Sequence, residues 1–214
     1  MGDAYLLVCY MRSWGDTPVE VHHATAREAL HHMIREIYSL LPNIKLKIVP
    51  HGTKVKPFMG PGAAQILRRE TNRPNFTPFP DWNLPIYPGL PKKYSVLAPI
   101  SGKPWEKNRS MPQREIDRAL KELKEPVVMI GTKNPKVNGV VDLSGKTTIP
   151  EALSIISGAS AFSGFQGMLA YMALSQKVPS YVYVNGEGQY LSFRGRMMRK
   201  WVKYCLDIRD RNGK

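Results

Sequence analysis

Residues 93–184 alternate short, continuously apolar runs with amphipathic ones, and this alternation is the strongest constraint on the fold. The runs "YSVLAPI", "PVVMIGT" and "SAFSGF" are typical of strands buried on both faces, whereas "SMPQREIDRALKEL" and "TIPEALSIISGA" have the spacing of helices. Buried strands that alternate with helices predict a parallel sheet covered on both faces. We therefore predict a doubly wound α/β domain over residues 93–214.

The first 56 residues predict a smaller α/β portion. "AYLLVCYMR" predicts a strand that returns through the turn "SWGDTP" as the strand "VEVHH", which together would form a hairpin. A helix would begin at a Thr25–Glu28 capping box, and "IKLKIVP" alternates as a strand does. Residues 57–92, rich in proline and aromatic residues, predict a linker or a long ordered loop in which "GAAQILRRET" could form a short helix.

Helix ends in the larger domain carry capping patterns. Ser110 with Gln113 predicts one start, and Thr148 with Glu151 predicts another, with Pro150 in its first turn. The closing run "LSFRGRMMRKWVKYCLDI" predicts a basic amphipathic helix, because its apolar residues recur every four positions. These apolar residues are Phe193, Met197, Trp201 and Cys205.

The composition is that of a protein with a real core and a strong positive charge. Lys and Arg number 31 against 17 Asp and Glu, a formal charge of +14, which favours a polyanionic partner such as nucleic acid. No apolar run reaches the roughly 18 residues of a membrane span, and the start lacks signal-peptide features, so we expect a cytoplasmic protein. Its two cysteines are expected to be reduced and buried, and the histidine pairs lack metal-site spacing.

Two interpretations of the basic residues remain open. Lys and Arg stems can simply cover apolar surface with their charged heads in water. Alternatively, the closing helix and the 57–92 segment share a track for a phosphate backbone, where aromatics such as Phe76, Phe79, Trp82 and Tyr87 would stack on bases or merely pack against the sheet. The candidate nucleic-acid residues are Arg68, Arg69, Arg73, Arg196, Arg199 and Lys203.

The loops that follow the predicted strands are the natural ligand-binding positions, because open α/β sheets bind ligands at the carboxyl ends of their strands. In "SGFQGMLAYMALS" a glycine turn precedes an apolar helix, whose first N–H groups and dipole favour an anion. Gly167 would let a diphosphate approach that backbone closely. The alternative is a tight turn that needs glycine only for packing.

The motifs "VLAPISGKPWEKNR", "VVMIGT", "VVDLSGKTTIPEAL" and "FSGFQGMLAYMALSQKVPS" occur here in an order that resembles the C-terminal nucleotide-sugar domain of GT-B glycosyltransferases, and most of all the heptosyltransferase-like family nine. The resemblance covers about half of the chain. It implies a nucleotide-diphosphate-sugar donor, no other cofactor and no metal. The N-terminal α/β portion would then be a reduced counterpart of the family's first domain.

The resemblance also implies roles for individual residues. Phosphate contacts would come from the loop after the first strand and from the helix start, whereas base or ribose contacts would come from the "GT" loop; the donor-site residues are Ser101, Gly102, Lys103, Gly131, Thr132, Gln166, Gly167 and Met168. The acidic residue and the His that the family carries near this turn are missing. Glu187 in "NGEG" would meet a ribose or sugar hydroxyl, or simply form a turn.

"RSWGDTP" resembles the N-terminal "GD" loop of the same family, in which the Asp is a general base toward the acceptor. Asp16 would take that role, unless it is only the tip of the predicted hairpin. The leading hypothesis is a nucleotide-sugar-dependent glycosyltransferase with a polyanionic acceptor, such as hydroxymethylated DNA in phage DNA modification, or a lipid-linked acceptor. The alternative is a non-catalytic nucleic-acid-binding protein, or a nucleotide-binding scaffold, that reuses the fold.

Overall fold

A computed structural model describes residues 2–12, 16, 18–25, 28–50, 52–53, 79–82, 84, 86–101, 109–186 and 199–209. The chain divides into two compact units, Met1–Trp82 and Asn83–Lys214. The proposed division into segments 1–56, 57–92 and 93–214 stays a prediction.

The first unit contains a strand–helix–strand arrangement preceded by a helix. Its elements are α1 (Gly2–Arg12), β1 (Val19–Thr25), α2 (His31–Tyr38) and β2 (Ile44–Pro50), with a 3₁₀ turn at Glu28–Leu30. β1 and β2 pair in parallel along their whole length, from Val19 opposite Ile44 to Thr25 opposite Pro50. Parallel neighbours need a crossover connection, which α2 supplies.

The predicted strand at 4–12 is wrong, because these residues form α1. Tyr5, Leu6, Val8 and Cys9 are all buried, so the segment is apolar on most of its circumference. A short run of this kind has no period that distinguishes a buried helix from a buried strand. The predicted hairpin is wrong for the same reason, since β1 follows a helix and pairs with β2.

Two of the three predicted capping patterns are also wrong. Thr25 is the last residue of β1, and α2 begins at His31 after Leu30, whose side chain makes no capping hydrogen bond. Ser110 instead forms an isolated antiparallel bridge. The helix that follows has Pro112 as its N-cap residue, again without a side-chain cap.

The second unit is built on one six-stranded sheet in which every pairing is parallel. Numbered along the chain, the strands of this unit lie side by side in the order third, second, first, fourth, fifth and sixth. This is the order of Rossmann-type doubly wound sheets, so the predicted fold class is confirmed. The elements are β3 (Ser95–Ala98), α3 (Gln113–Glu122), β4 (Val127–Met129), β5 (Val141–Asp142), α4 (Ile149–Ser157), β6 (Phe162–Phe165), α5 (Met168–Ser175), β7 (Ser180–Tyr183) and β8 (Cys205–Arg209).

Both faces of this sheet are covered. On one face Ile116 and Ala119 of α3 pack with Leu97, Phe165 and Tyr183 from three different strands. Neighbouring strand residues point to the opposite face, and right-handed crossovers in both directions from β3 place helices on each side. α4 and α5 pack against each other. Burial on both faces explains why the strand sequences are apolar without alternation.

The start of α4 confirms the third capping pattern. The N–H of Glu151 donates to Thr148 Oγ1 at 3.3 Å, and the N–H of Thr148 donates to Glu151 Oε2 at 2.7 Å. Pro150 lies in the first turn of the helix. The pattern holds here because Thr148 has the extended backbone that an N-cap residue requires.

The predicted closing helix is wrong for the residues that the structure describes. Arg199–Tyr204 form a 3₁₀ helix, and Cys205–Arg209 form β8, which pairs in parallel with β7. Backbone pairing at a free sheet edge outweighs the four-residue spacing of Phe193, Met197, Trp201 and Cys205, of which the first two lie outside the described residues.

Within the described part of the chain, no helix is long and apolar enough to cross a membrane. Cys9 is buried and Cys205 is partly exposed, and neither forms a disulfide. Burial raises the pKa of the Cys9 thiol to about 12. Burial, followed by the charge of Asp207, raises the pKa of Cys205 to about 11. Both thiols are therefore protonated at neutral pH.

Candidate functional site

The strand order of the second unit creates one switch point, between β3 and β6. From β3 the chain continues to β4 on one side, whereas from β6 it continues to β7 on the other. The two connections leave in opposite directions and open a crevice at the carboxyl ends of these strands, where doubly wound folds bind ligands. The loop from Ser101 and the turn at Gln166–Gly167 begin at this crevice.

The loop after β3 is closed at its base. The N–H of Ser101 donates to the carbonyl of Arg109 at 2.9 Å, and the N–H of Met111 donates to the carbonyl of Pro99 at 2.8 Å. Ile100 also pairs with Ser110 in an antiparallel bridge. These contacts fix Ser101 at the carboxyl end of β3, while Gly102 and Lys103 lie outside the described residues.

Ser101 lies directly against Gly167, the N-cap residue of α5. A Cβ built on Gly167 would overlap the Ser101 hydroxyl and would lie 3.2 Å from the Ser101 Cβ. The φ of Gly167 is 161°, an extended value open to any residue, so glycine is required here for room. The structure thus brings together two of the predicted donor-site residues.

The start of α5 is the exposed end of an otherwise buried helix. Gly167 and Met168 are partly exposed, whereas the residues from Ala170 to Ser175 are buried. The N-cap residue, Gly167, has no side chain that could cap the helix. The N-terminus of α5, with the positive end of the helix dipole, therefore lies at the carboxyl end of β6.

Gln166 lies in the turn between β6 and the start of α5. It is buried, and its backbone N–H donates to the carbonyl of Tyr183 at 2.8 Å, which ties the turn to the end of β7. Phe165 beside it packs on the Tyr183 ring at 5.8 Å between centroids. The acidic residue and the His of the family pattern are missing from the stretches Phe165–Gly167 and Ala170–Tyr171, in which Phe165, Gln166, Ala170 and Tyr171 are buried.

The loop after β4 is held by the "DLSGK" segment. Asn134 Nδ2 donates to the carbonyl of Ile130 at 2.9 Å and to Ser144 Oγ at 2.8 Å. The N–H of Gly145 donates to the carbonyl of Gly131 at 2.7 Å. Gly131 has a φ of 134°, which strongly favours glycine.

Asp142 organises the same segment. Its Oδ1 accepts hydrogen bonds from both the N–H and the hydroxyl of Ser144, and Lys146 Nζ donates to its carbonyl at 2.9 Å. The bonds from Ser144 lower the pKa of the Asp142 carboxyl. The motif therefore shapes the 131–134 loop through internal contacts, and it leaves Thr132 exposed at the carboxyl edge of the sheet.

Asp16 lies in the first unit, four residues after the end of α1. Its carboxylate is exposed, and Arg12 Nη1 lies 3.3 Å from Asp16 Oδ1. Because the hairpin is wrong, Asp16 is not a hairpin tip. Its role as a base stays a prediction.

The histidines of the first unit have polar partners of their own. His22 Nε2 lies 2.6 Å from Glu20 Oε1, and His23 Nδ1 lies 3.2 Å from the hydroxyl of Tyr38. Burial lowers the pKa of His23. Across the described ranges, no group of three His, Cys, Asp or Glu side chains could hold a metal ion.

The predicted nucleic-acid residues are only partly described. Lys203 is exposed, with its Nζ 4.9 Å from the centre of the Tyr204 ring. For Arg199 the structure describes the backbone but not the side chain. The other predicted residues lie outside the described ranges: Arg68, Arg69, Arg73 and Arg196. Glu187 likewise lies beyond the described residues.

Sequence reasoning missed two contributors to this edge of the sheet. The sequence shows Asn134 as the asparagine of "GTKNPK". A short side chain of this kind can donate hydrogen bonds to nearby backbone carbonyls and so shape a loop. Arg209 directly follows the run that predicted a helix, so its burial at the carboxyl end of β8 could not be anticipated.

Comparison with known proteins supports the fold. No protein-family model and no curated protein matches the chain. The glycosyl transferase family 9 structure from Veillonella parvula DSM 2008 matches 98% of this chain and 82% of its own, at 10% identity and a TM-score of 0.55. The E. coli ADP-heptose lps heptosyltransferase II matches 98% and 85%, at 11% identity and a TM-score of 0.49.

A third likeness is to the dodecameric iron-containing glycosyltransferase TibC from enterotoxigenic E. coli H10407. It has 15% identity and a TM-score of 0.49 over 85% of this chain. The chain spans about half of TibC, 55% of its length. The family 9 structure, at 10% identity and a TM-score of 0.55, supports a glycosyltransferase-like fold for this chain.

Proposed function

We propose that this chain binds the diphosphate of a nucleotide sugar at the β3/β6 crevice, as part of a metal-independent glycosyltransferase of the GT-B type. Three observations support the proposal: the Rossmann-type strand order, the likeness to a family 9 glycosyltransferase, and the motifs that resemble that family in sequence. The unit Asn83–Lys214 would carry the donor site.

The observation that carries the proposal is the close approach of Ser101 and Gly167 at the start of α5. It sets a hydroxyl beside a helix N-terminus whose first N–H groups are directed outward, at the switch point where this fold binds ligands. A side chain at position 167 would close the approach. The arrangement suits a phosphate group, which accepts hydrogen bonds from hydroxyl and backbone N–H groups.

The remaining donor residues are those that the sequence resemblance implies. Ser101, Gly102 and Lys103 would contact the phosphates, and Gln166, Gly167 and Met168 would present the helix end to them. Gly131 and Thr132 would lie beside the base or ribose, and Glu187 would meet a ribose or sugar hydroxyl.

The proposed reaction is a direct displacement at the anomeric carbon. An acceptor hydroxyl oxygen forms the new bond to that carbon, while the bond from the carbon to the diphosphate oxygen breaks. Asp16 would take the proton of the hydroxyl, and the helix end with nearby lysines would stabilise the charge that develops on the diphosphate. The large positive charge of the chain favours a polyanionic acceptor, such as DNA with a hydroxymethylated base, or a lipid-linked one.

A thermal-shift panel of UDP, GDP, ADP and CMP sugars tests the donor site. A ligand present at 100 times its Kd stabilises the protein by about 2.7 kcal/mol, which is readily visible as a rise in Tm. We expect one nucleotide class to raise the Tm, and the same sugar without nucleotide to leave it unchanged. If no nucleotide sugar shifts the Tm, the donor-site proposal fails.

One observation favours a second candidate function. The stretches Phe165–Gly167 and Ala170–Tyr171 lack the acidic residue and the His of the family pattern, and Phe165, Gln166, Ala170 and Tyr171 in them are buried. With a charge of +14, the chain could instead be a nucleic-acid-binding protein that reuses the fold without transfer. Nucleic-acid binding without transfer from any nucleotide sugar would support this alternative.

A further inference from the structure

Arg209 is a buried cation at the exposed edge of the sheet. Its side chain is 10% exposed, whereas Leu206 on the same strand is 53% exposed. Arginine is rarely buried unless it is paired, so a buried guanidinium in a largely exposed edge strand calls for a specific set of partners.

Arg209 has such partners on α3 and on its own strand. Its Nη1 donates to Glu122 Oε2 at 2.7 Å and its Nη2 to Glu122 Oε1 at 3.1 Å, a bidentate arrangement. Its Nε donates to Asp207 Oδ2 at 2.8 Å, and the guanidinium lies 4.7 Å from the centre of the Tyr181 ring. Bidentate charged hydrogen bonds are among the strong ones in proteins, and a planar guanidinium makes them where an ammonium cannot.

The backbone of Arg209 leads from this ion pair to the candidate site. The carbonyl of Arg209 accepts from the N–H of Val184 at 2.7 Å, just beyond β7. The adjacent carbonyl of Tyr183 accepts from the N–H of Gln166 at 2.8 Å. Gln166 precedes Gly167, so two hydrogen bonds connect the end of β8 to the turn that begins α5.

The rest of β8 contributes little to its own docking. Arg209 is its one buried residue, and its pairing with β7 is irregular between Ser180 and Tyr181. Leu206 and Asp207 are exposed. The strand thus buries little apolar surface, and the ion pair between Arg209 and Glu122 joins its carboxyl end to α3.

We propose that Arg209 is a positioning residue: clamped by Glu122, it docks the end of β8 and through β7 holds the Gln166–Gly167 turn in place. Its consequence for ligand affinity rests on the function proposed above, whereas the clamp itself does not.

Residue-resolved amide hydrogen exchange on the full chain tests the clamp. Glu122→Gln keeps the shape of the Glu122 side chain and removes its charge. Arg209→Lys keeps the positive charge and removes the planar guanidinium that makes the bidentate hydrogen bonds. In both variants we expect the amides of Val184 and Gln166 to exchange about tenfold faster or more, because the loss of a charged hydrogen bond frees the strand end. Asp117→Asn is the matched control, since it removes one charge from the exposed face of α3 and should leave both amides unchanged.

The Val96 amide, which donates to Ala161 at 2.8 Å, serves as the reference for global stability. If the Val184 amide exchanges at the wild-type rate in folded Glu122→Gln, the proposal is overturned. It is also overturned if the Val184 amide exchanges faster while the Gln166 amide keeps its wild-type rate. Equal acceleration at Val96 also overturns it, since the effect would then be global. If Arg209→Lys does not fold, Glu122→Gln decides the matter, because the Glu122 side chain is 30% exposed and outside the core.

A ligand measurement separates this inference from the proposed function. If the wild type binds a nucleotide sugar, Glu122→Gln should weaken its affinity severalfold, while Asp117→Asn should not. If the wild type binds none, the proposed function fails, and the exchange result still supports or overturns the clamp.

Discussion

Gly167 and Ser101 meet at the carboxyl ends of β6 and β3, so closely that a Cβ on Gly167 would overlap the Ser101 hydroxyl. The contact joins two loops that are about 65 residues apart in the chain. It explains the glycine in an otherwise apolar helix start, because position 167 must leave room for the neighbouring residue Ser101.

Gly167→Val should therefore weaken nucleotide binding at least tenfold while the protein remains folded. The branched side chain would displace Ser101 and cover the first N–H groups of α5. Binding measured by calorimetry, with folding checked by thermal denaturation, tests this.

Gly164→Ala is a contrasting substitution, because this glycine is required for packing inside the sheet. Its Cβ would come 2.7 Å from the backbone carbonyl of Ala98, inside the sheet, where little can move. We expect it to destabilise the fold by about 1–3 kcal/mol, as overpacking does. A folded Gly167→Val variant with unchanged affinity would remove the crevice from consideration.

Asp16→Asn should lower transfer by roughly 100-fold or more and leave donor affinity unchanged, because the amide cannot accept the acceptor's proton. Steady-state kinetics and donor binding together make the test. Arg12→Gln is the control, since it removes the cation 3.3 Å from Asp16 and leaves the carboxylate in place. Full activity of Asp16→Asn would contradict the role of Asp16 as the general base, and Glu187 would then be the next candidate for that role.

Stability should fall in acid through the two carboxylates that organise the start of α4 and the end of β5. Hydrogen bonds from Thr148 lower the pKa of Glu151, and bonds from Ser144 lower that of Asp142. A carboxylate whose pKa is lower in the folded state than in the unfolded state stabilises the protein at pH values above its unfolded-state pKa, which is near 4. This stabilisation is lost as the pH falls through the folded-state pKa.

Urea unfolding at pH 7, 5 and 3 measures this dependence. Glu151→Gln should be less stable than the wild type at pH 7, and the difference should shrink toward pH 3. Thr148→Ala should cost about 1 kcal/mol at pH 7 by removing the cap. Glu125→Gln, outside any capping box, is the control. A constant difference between Glu151→Gln and the wild type at all three pH values would contradict the assignment.

Nucleic-acid binding should depend steeply on salt if the basic residues contact a phosphate backbone. Each contact on duplex DNA contributes a slope of about −0.9 in the logarithmic plot of affinity against salt. Changing Arg196, Arg199 and Lys203 to Ala should weaken binding of a mixed-sequence duplex and reduce the slope. Lys45→Ala with Lys47→Ala, on the exposed positions of β2, is the comparison for charge alone. Absence of binding to duplex or single strand even at low salt would leave a small-molecule or lipid-linked acceptor.

The sequence by itself determined the doubly wound class of the second unit. Its strands are buried on both faces, so each one reads as an apolar run that the neighbouring helices punctuate. The Thr148–Glu151 capping box was also visible, because a cap is a local interaction between residues three apart. The glycine turn at 164–167 could be placed before a helix for the same local reason.

Tertiary structure decided the elements whose residues are apolar without a clear period or lie at an edge. Residues 4–12 could be a buried strand or a buried helix, and packing in the first unit made them α1. The run 191–208 has helical spacing, but pairing with the free edge of β7 and the ion pair between Arg209 and Glu122 make Cys205–Arg209 the strand β8. The contact of Ser101 with Gly167 depends on the strand order, which no local pattern encodes, because pairing between distant strands is settled only when the whole sheet assembles.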